Sequence, residues 1–168
     1  MKKIISLFLL ATFALCLVSC SGAGQPSYRN DTTCAILFEN AEKKLTLDEG
    51  FEFMEKGELA VMSEPSIGGV LDKLDDSAFR FTGGSSFDEY GILHVAVPED
   101  VESVKSAAEG YLKAKREDAL YRSYFPGEEY KLDDAQVQVY GNYVVYGMLS
   151  EENRTALFNE VKQLLLDA

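Results

Sequence analysis

Ala135-Gln136-Val137-Gln138-Val139-Tyr140-Gly141-Asn142-Tyr143-Val144-Val145-Tyr146-Gly147-Met148-Leu149-Ser150-Glu151-Glu152 is the stretch that decides the fold. Its first part alternates small or apolar residues (Ala135, Val137, Val139) with polar ones (Gln136, Gln138), the period-2 pattern of a half-buried strand. Gly141-Asn142 has the composition of a two-residue hairpin turn, and Tyr143 to Leu149 is the return strand. Ser150 with Glu151 and Glu152 behind it reads as a capped helix start, where the helix dipole favours negative charge. Leu157, Phe158, Val161, Leu164 and Leu165 then give the final helix an apolar face.

Working backwards, Tyr90 to Val97 is an aliphatic-rich strand ended by Pro98. Glu99-Asp100 open a helix in which Val101, Val104, Ala108, Tyr111 and Leu112 recur at helical spacing. That helix is expected to reach about Ser123, before Tyr124-Phe125-Pro126-Gly127 breaks it. Further upstream the signals weaken. Asp31 or Thr32 caps a helix running to about Lys44. Leu45 to Met62 reads as one short helix or a strand pair, Ile67 to Leu74 as a short helix, and Ala78 to Phe81 as a short strand. Thr82-Gly83-Gly84-Ser85-Ser86 lacks the Lys-Ser/Thr ending of a phosphate-binding loop and reads as a turn. The order strand, long helix, hairpin, helix implies an α+β fold: a small, mostly antiparallel sheet with helices packed on one face.

The N-terminus decides location. Met1-Lys2-Lys3 is followed by a run from Ile4 to Val18 that is apolar apart from Ser6 and Thr12. Such a run has the length of a signal-peptide core and falls short of the ~20 residues a membrane span needs. Leu17-Val18-Ser19-Cys20 resembles the bacterial lipobox, in which the cysteine thiol is acylated and becomes the new N-terminus. The other readings are an ordinary signal peptide cut nearby, with Cys20 a plain thiol, or an uncleaved anchor. The chain therefore divides into a lipoprotein signal peptide over residues 1–19, a flexible Gly/Ser/Pro-containing tether over 20–30, and one α+β domain over 31–168. The expected partner of the N-terminus is the membrane, through lipid on Cys20, on the outer face of the cell membrane.

Composition narrows the function. Removal of Lys2 and Lys3 with the signal takes the formal charge from -12 to -14. A chain this acidic is repelled by nucleic acid, and it has no Lys/Arg stripe to offset that. Processing leaves Cys34 as the lone thiol, in an apolar setting that suits an inert buried cysteine better than a reactive one.

The segment Ile92-Leu93-His94-Val95-Ala96-Val97-Pro98-Glu99-Asp100-Val101, the helix exit Tyr121 to Tyr130, the hairpin from Ala135 to Val144 and the closing Ser150 helix together resemble DUF4358, a family of uncharacterised clostridial and related Firmicute proteins. The resemblance covers about Glu89 to Leu166. Members are often lipoproteins, so it implies fold and location and supplies no chemistry.

Candidate sites are few. His94 lies on the strand face of Ile92 and Ala96; a lone histidine is a base or ligand only with a partner in reach, and none is identifiable from sequence. The acidic pairs Asp75-Asp76, Asp133-Asp134 and Glu151-Glu152 lack EF-hand spacing and suit surface, turn and capping roles. The aromatics Tyr111, Tyr121, Tyr124, Phe125, Tyr130, Tyr140, Tyr143 and Tyr146 either seal the sheet against the long helix or stack on a ligand. Tyr140 and Tyr143, flanking the turn, are the pair expected to be exposed, and with Asn142 they form the candidate contact for a ligand or partner. Ser-His-Asp order, CxxC, HExxH and dinucleotide glycine patterns are absent from the sequence, and no catalytic residue, metal ligand or cofactor is assigned.

The reading that results is a surface lipoprotein acting as a non-enzymatic binding module, with an envelope protein or glycan as partner. The alternative is an envelope enzyme working through acidic residues, with or without a metal. A transporter's ligand-binding component ranks last, because the chain is short for a two-lobed hinge.

Overall fold

A computed structural model describes residues 26–53 and 67–166. The expected signal peptide, Cys20 and Glu58 to Met62 lie outside these. Five strands form one antiparallel sheet: β1 (Phe51–Phe53), β2 (Leu74–Phe81), β3 (Glu89–Val95), β4 (Gln136–Tyr140) and β5 (Tyr143–Met148), in the order β1-β2-β3-β5-β4. Helices α1 (Cys34–Glu42), α2 (Val101–Glu117), α3 (Ala119–Arg122), α4 (Glu129–Asp133) and α5 (Glu151–Leu165) complete the described elements, with short 3-10 turns at Gly68–Lys73 and Pro98–Asp100. The fold is α+β, as the sequence pattern implies.

The helices cover both faces of the sheet, which corrects the one-face expectation. The cause lies in the two central strands. On β3, Tyr90 and Ile92 point to one face and Leu93 and Val95 to the other; on β5, Tyr143 and Val145 oppose Val144, Tyr146 and Met148. Strands apolar at both phases of the alternation cannot leave either face in water. α1 and α5 pack on the Tyr90 face through Leu37, Phe38, Ala41, Leu157 and Val161. α2 packs on the opposite face through Val104, Ala108, Tyr111 and Leu112. At about 1.5–3 kcal/mol per fully buried large side chain, the two layers contribute comparable terms.

Local signals explain most boundaries. Thr33 caps α1 by accepting from the Ile36 amide. Ser150 caps α5 by accepting from the Asn153 amide at 3.3 Å. The long helix stops at Glu117, short of Ser123, because the Asp118 carboxylate accepts from the amides of Leu120 (2.8 Å) and Tyr121 (3.1 Å) and starts α3. An aspartate that can cap competes with helix continuation in this way. The hairpin closes on Gly141 with φ +59°, the left-handed region that favours glycine.

Residues 20–25 of the expected tether lie outside the described residues, and its last residues are docked. Tyr28 bridges Leu166, the Arg29 amide donates to the Leu165 carbonyl at 2.8 Å, and the Tyr28 ring meets Tyr140 edge-on at 5.6 Å.

Candidate functional site

The hairpin tyrosines are buried, contrary to their expected exposure. Tyr143 is 0% exposed and Tyr140 6%. α5 and the N-terminal strap pack over their face of the sheet. Tyr140 donates to the Phe158 carbonyl at 3.2 Å, and Tyr143 to the Thr32 carbonyl at 2.6 Å. Burial pushes both phenols up to about 12. Asn142, half-buried, donates its side-chain amide to the Val95 carbonyl at 3.3 Å. These three residues are joined within the fold, and the contact role expected of them has no exposed aromatic surface to rest on.

His94 has the partners that sequence alone could not name. Its Nδ1 lies 2.7 Å from Asp75 Oδ1, its Nε2 lies 2.8 Å from Asn30 Oδ1, and its ring stacks on Tyr143 at 4.4 Å. A carboxylate on Nδ1 is the arrangement that orients a catalytic histidine. Here Nε2 is taken by the chain's own Asn30. Two neighbouring hydroxyls are also engaged: that of Thr33 caps α1, and that of Tyr143 donates to the Thr32 carbonyl. The cluster clasps the strap of residues 28–33 to β3 and β5. Asp76 accepts from the Cys34 amide at 2.6 Å, capping α1 from a neighbouring strand. Burial, reinforced by the Asp76 charge, pushes the Cys34 thiol well above its ordinary value, as suits an inert cysteine. Of the other acidic residues singled out from sequence, Asp133 pairs with Arg122 at 2.6 Å, and Glu151 and Glu152 sit in the first turn of α5. Among the described residues no group of three or more His, Cys, Asp or Glu side chains is placed to hold a metal ion.

A second network was missed from sequence. Glu89, 3% exposed at the start of β3, accepts from Tyr111 at 2.6 Å and Tyr146 at 3.3 Å, and pairs with the Lys115 ammonium. That ammonium also lies 4.5 Å from the centre of the Tyr111 ring and 5.0 Å from that of Tyr121. Next to it, the Lys131 ammonium pairs with Asp88 at 2.9 Å and Glu128 at 3.2 Å. Burial and the Glu89 charge raise the phenols of Tyr111 and Tyr146. These charges are matched within the protein, which suits fastening α2 and α4 to the sheet. The only sequence signal was the acidic pair Asp88-Glu89 beside an apolar strand.

What the sheet leaves open is β4. It is the outermost strand beyond β5, and its residues Gln136-Val137-Gln138-Val139-Tyr140 carry no charge. A groove of about 350 Å³ runs beside it, lined by Glu109, Leu112 and Arg116 of α2 and by Ala135 to Gln138. Near its other end a second hollow is lined by Pro26, Tyr28, Val139 and Gly141. Edge strands are normally blunted by lysine, proline, bulges or cover. β4 has none of these among the described residues.

The fold is a two-faced antiparallel α+β domain whose sheet is bordered, among the described residues, by the three-residue β1 and by β4. Residues 71–149 match the family model described as a domain of unknown function, DUF4358. The matched segment starts earlier and ends sooner than the expected 89–166. The match spans β2 to β5 and the α2 layer and stops before α5. No curated protein and no solved structure matches the chain.

Proposed function

We propose that the chain is a surface-tethered, non-enzymatic binding module of the bacterial envelope. It is exported on residues 1–19, held at the outer face of the cell membrane by lipid on Cys20, and binds a protein segment by strand addition to β4. The tether reading rests on Leu17-Val18-Ser19-Cys20 behind its apolar run. The binding reading is carried by one observation, the uncharged edge of β4 with a groove along it that mixes Leu112, Ala135 and Val137 with Glu109, Arg116 and two glutamines. Strand addition obtains affinity from main-chain pairing and selectivity from alternate side chains, so a groove flanking the edge is the expected companion.

The test is site-specific photo-cross-linking in host membranes. A photoreactive residue at Gln138 should give adducts, and one at Glu152 on α5 should not. Adding Val137→Pro should abolish the Gln138 adducts while leaving the fold, because proline is tolerated on an edge strand. Equal adducts at both positions would refute the edge. The alternative of an envelope enzyme draws on the Asp75–His94 pair. It needs Asn30 to vacate Nε2, and a hydrolytic activity lost in His94→Ala but kept in Val137→Pro would replace the binding reading.

A further inference from the structure

We infer that the occupant of the β4 edge is a second copy of this chain, paired antiparallel about Gln138. This rests on the strand-edge reading above and gives that edge a partner.

Hydrogen-bond parity fixes which main-chain groups of β4 face outward. The Val95 amide donates to the Asn142 carbonyl at 2.9 Å, while His94 and Tyr143 are directly opposite. That pattern makes His94–Tyr143 a non-hydrogen-bonded pair, so the main-chain groups of Tyr143 face β4. Tyr140, opposite Tyr143, then has its own groups turned inward, and by alternation so do Gln138 and Gln136. The N–H and C=O of Val137 and Val139 therefore point away from the sheet.

A two-fold axis at Gln138 places Val137 of one copy against Val139 of the other. Both are outward-facing residues, so each such pair can exchange two main-chain hydrogen bonds, giving four in all. The sequence is self-matching in this register. Val137 and Val139 of both copies meet on the α2 face, Gln138 meets Gln138, and Gln136 meets Tyr140. Gln138 and its symmetry mate form the close, non-hydrogen-bonded pair at the axis, where two side-chain amides can bond to each other. Nothing in the strand's charge opposes the pairing, since it has none. Long-range repulsion does oppose it, because each copy carries a formal charge of -14 once residues 1–19 are removed and Glu109 lines the groove. Anchoring on one membrane raises the encounter frequency that offsets this repulsion.

The experiment is oxidative cross-linking of the full chain in its host membranes, with Gln138→Cys, Gln136→Cys and the wild-type chain treated with copper-phenanthroline and the adducts weighed. Paired Gln138 positions lie about 4.5 Å apart at Cα, within disulfide reach. Paired Gln136 positions lie four residues off register, about 13 Å apart. Gln138→Cys should give an adduct of twice the chain mass, at least tenfold more than Gln136→Cys. Its yield should rise with ionic strength as repulsion is screened, and Val137→Pro should abolish it. A Gln138→Cys chain that stays monomeric, or equal cross-linking at both positions, overturns the second-copy inference. An adduct of a different mass that Val137→Pro removes also overturns it and leaves the strand edge standing with another occupant. If no adduct responds to Val137→Pro, the inference and the edge reading fall together.

Discussion

Glu89→Gln tests whether the Glu89–Lys115 network holds α2 to the sheet. The glutamine fits the same space and can still accept from Tyr111 and Tyr146, which donate to Glu89 Oε1 at 2.6 and 3.3 Å. Its amide nitrogen, however, faces the Lys115 ammonium, donor against donor. Removing one member of a buried pair costs about 3–5 kcal/mol. The Glu89 side chain is 4% exposed but that of Lys115 is 18%, so the ammonium can turn partly to water. The lower end of the range, about 3 kcal/mol, is therefore expected, corresponding to a fall in Tm of about 10 °C. Lys115→Met should cost about 2 kcal/mol, since Glu89 keeps both tyrosine donors. The double variant removes both charges and lays a thioether over the Tyr111 and Tyr121 rings, so it should lie within about 2 kcal/mol of wild type. The coupling between the two changes should then be at least about 3 kcal/mol. Urea unfolding followed by circular dichroism measures all four corners. A Glu89→Gln chain within 0.5 kcal/mol of wild type, or strictly additive costs, would refute this account.

Three further outcomes are expected. Burial disfavours charge on Lys115, but the Glu89 carboxylate more than offsets it, so the ammonium titrates above its ordinary value; the buried Tyr111 and Tyr146 phenols are raised as well. Their stabilisation is full below the unfolded values near pH 10 and is lost as pH rises above them, so the urea midpoint should fall between pH 9 and 11, and a flat profile would contradict the assignment. Gly91→Ala would drive a methyl group into the Tyr146 ring on the paired strand, and urea unfolding should show a loss of about 1–3 kcal/mol, where an unchanged midpoint would mean the ring yields freely. His94→Ala removes the contacts to Asp75 and Asn30 and the stack on Tyr143; hydrogen exchange should quicken at the amides of Arg29 and Thr32, which bond to Leu165 and Tyr143, while β3 stays protected.

Much of the fold was legible because its signals are local. Alternation from Ala135 to Tyr140, the Gly141-Asn142 turn and the Ser150 cap each depend on residues within a few positions of one another. The number of helical layers depends on what covers each face. The sequence from Tyr143 to Leu149 is apolar at nearly every position, and that was the available sign that both faces are buried. The exposure of Tyr140 and Tyr143 was misjudged for the same reason: their cover comes from Tyr28, Thr32 and Phe158, two of which lie more than a hundred residues away. His94 met Asn30 across 64 positions, and Glu89 met Lys115 across 26. Pairings at such separations leave no periodic trace in a single sequence.

The β4 edge combines both kinds of information. Its alternation was readable, and so was its lack of charge. Its place at the border of the sheet was not, because that follows from β5 inserting between β3 and β4. Once the border is known, the local residues become informative again. A buried central strand has no need of glutamine at alternate positions, and an ordinary exposed edge would carry lysine or proline to discourage pairing. Gln136-Val137-Gln138-Val139-Tyr140 does neither. It keeps valines on the face of α2, neutral amides on the other, and outward main-chain groups that pair with no strand among the described residues. Such a strand satisfies its hydrogen bonds with water when alone and with another strand when one is offered, at little cost in desolvated charge. The binding reading proposed above rests on that low desolvation cost at the β4 edge.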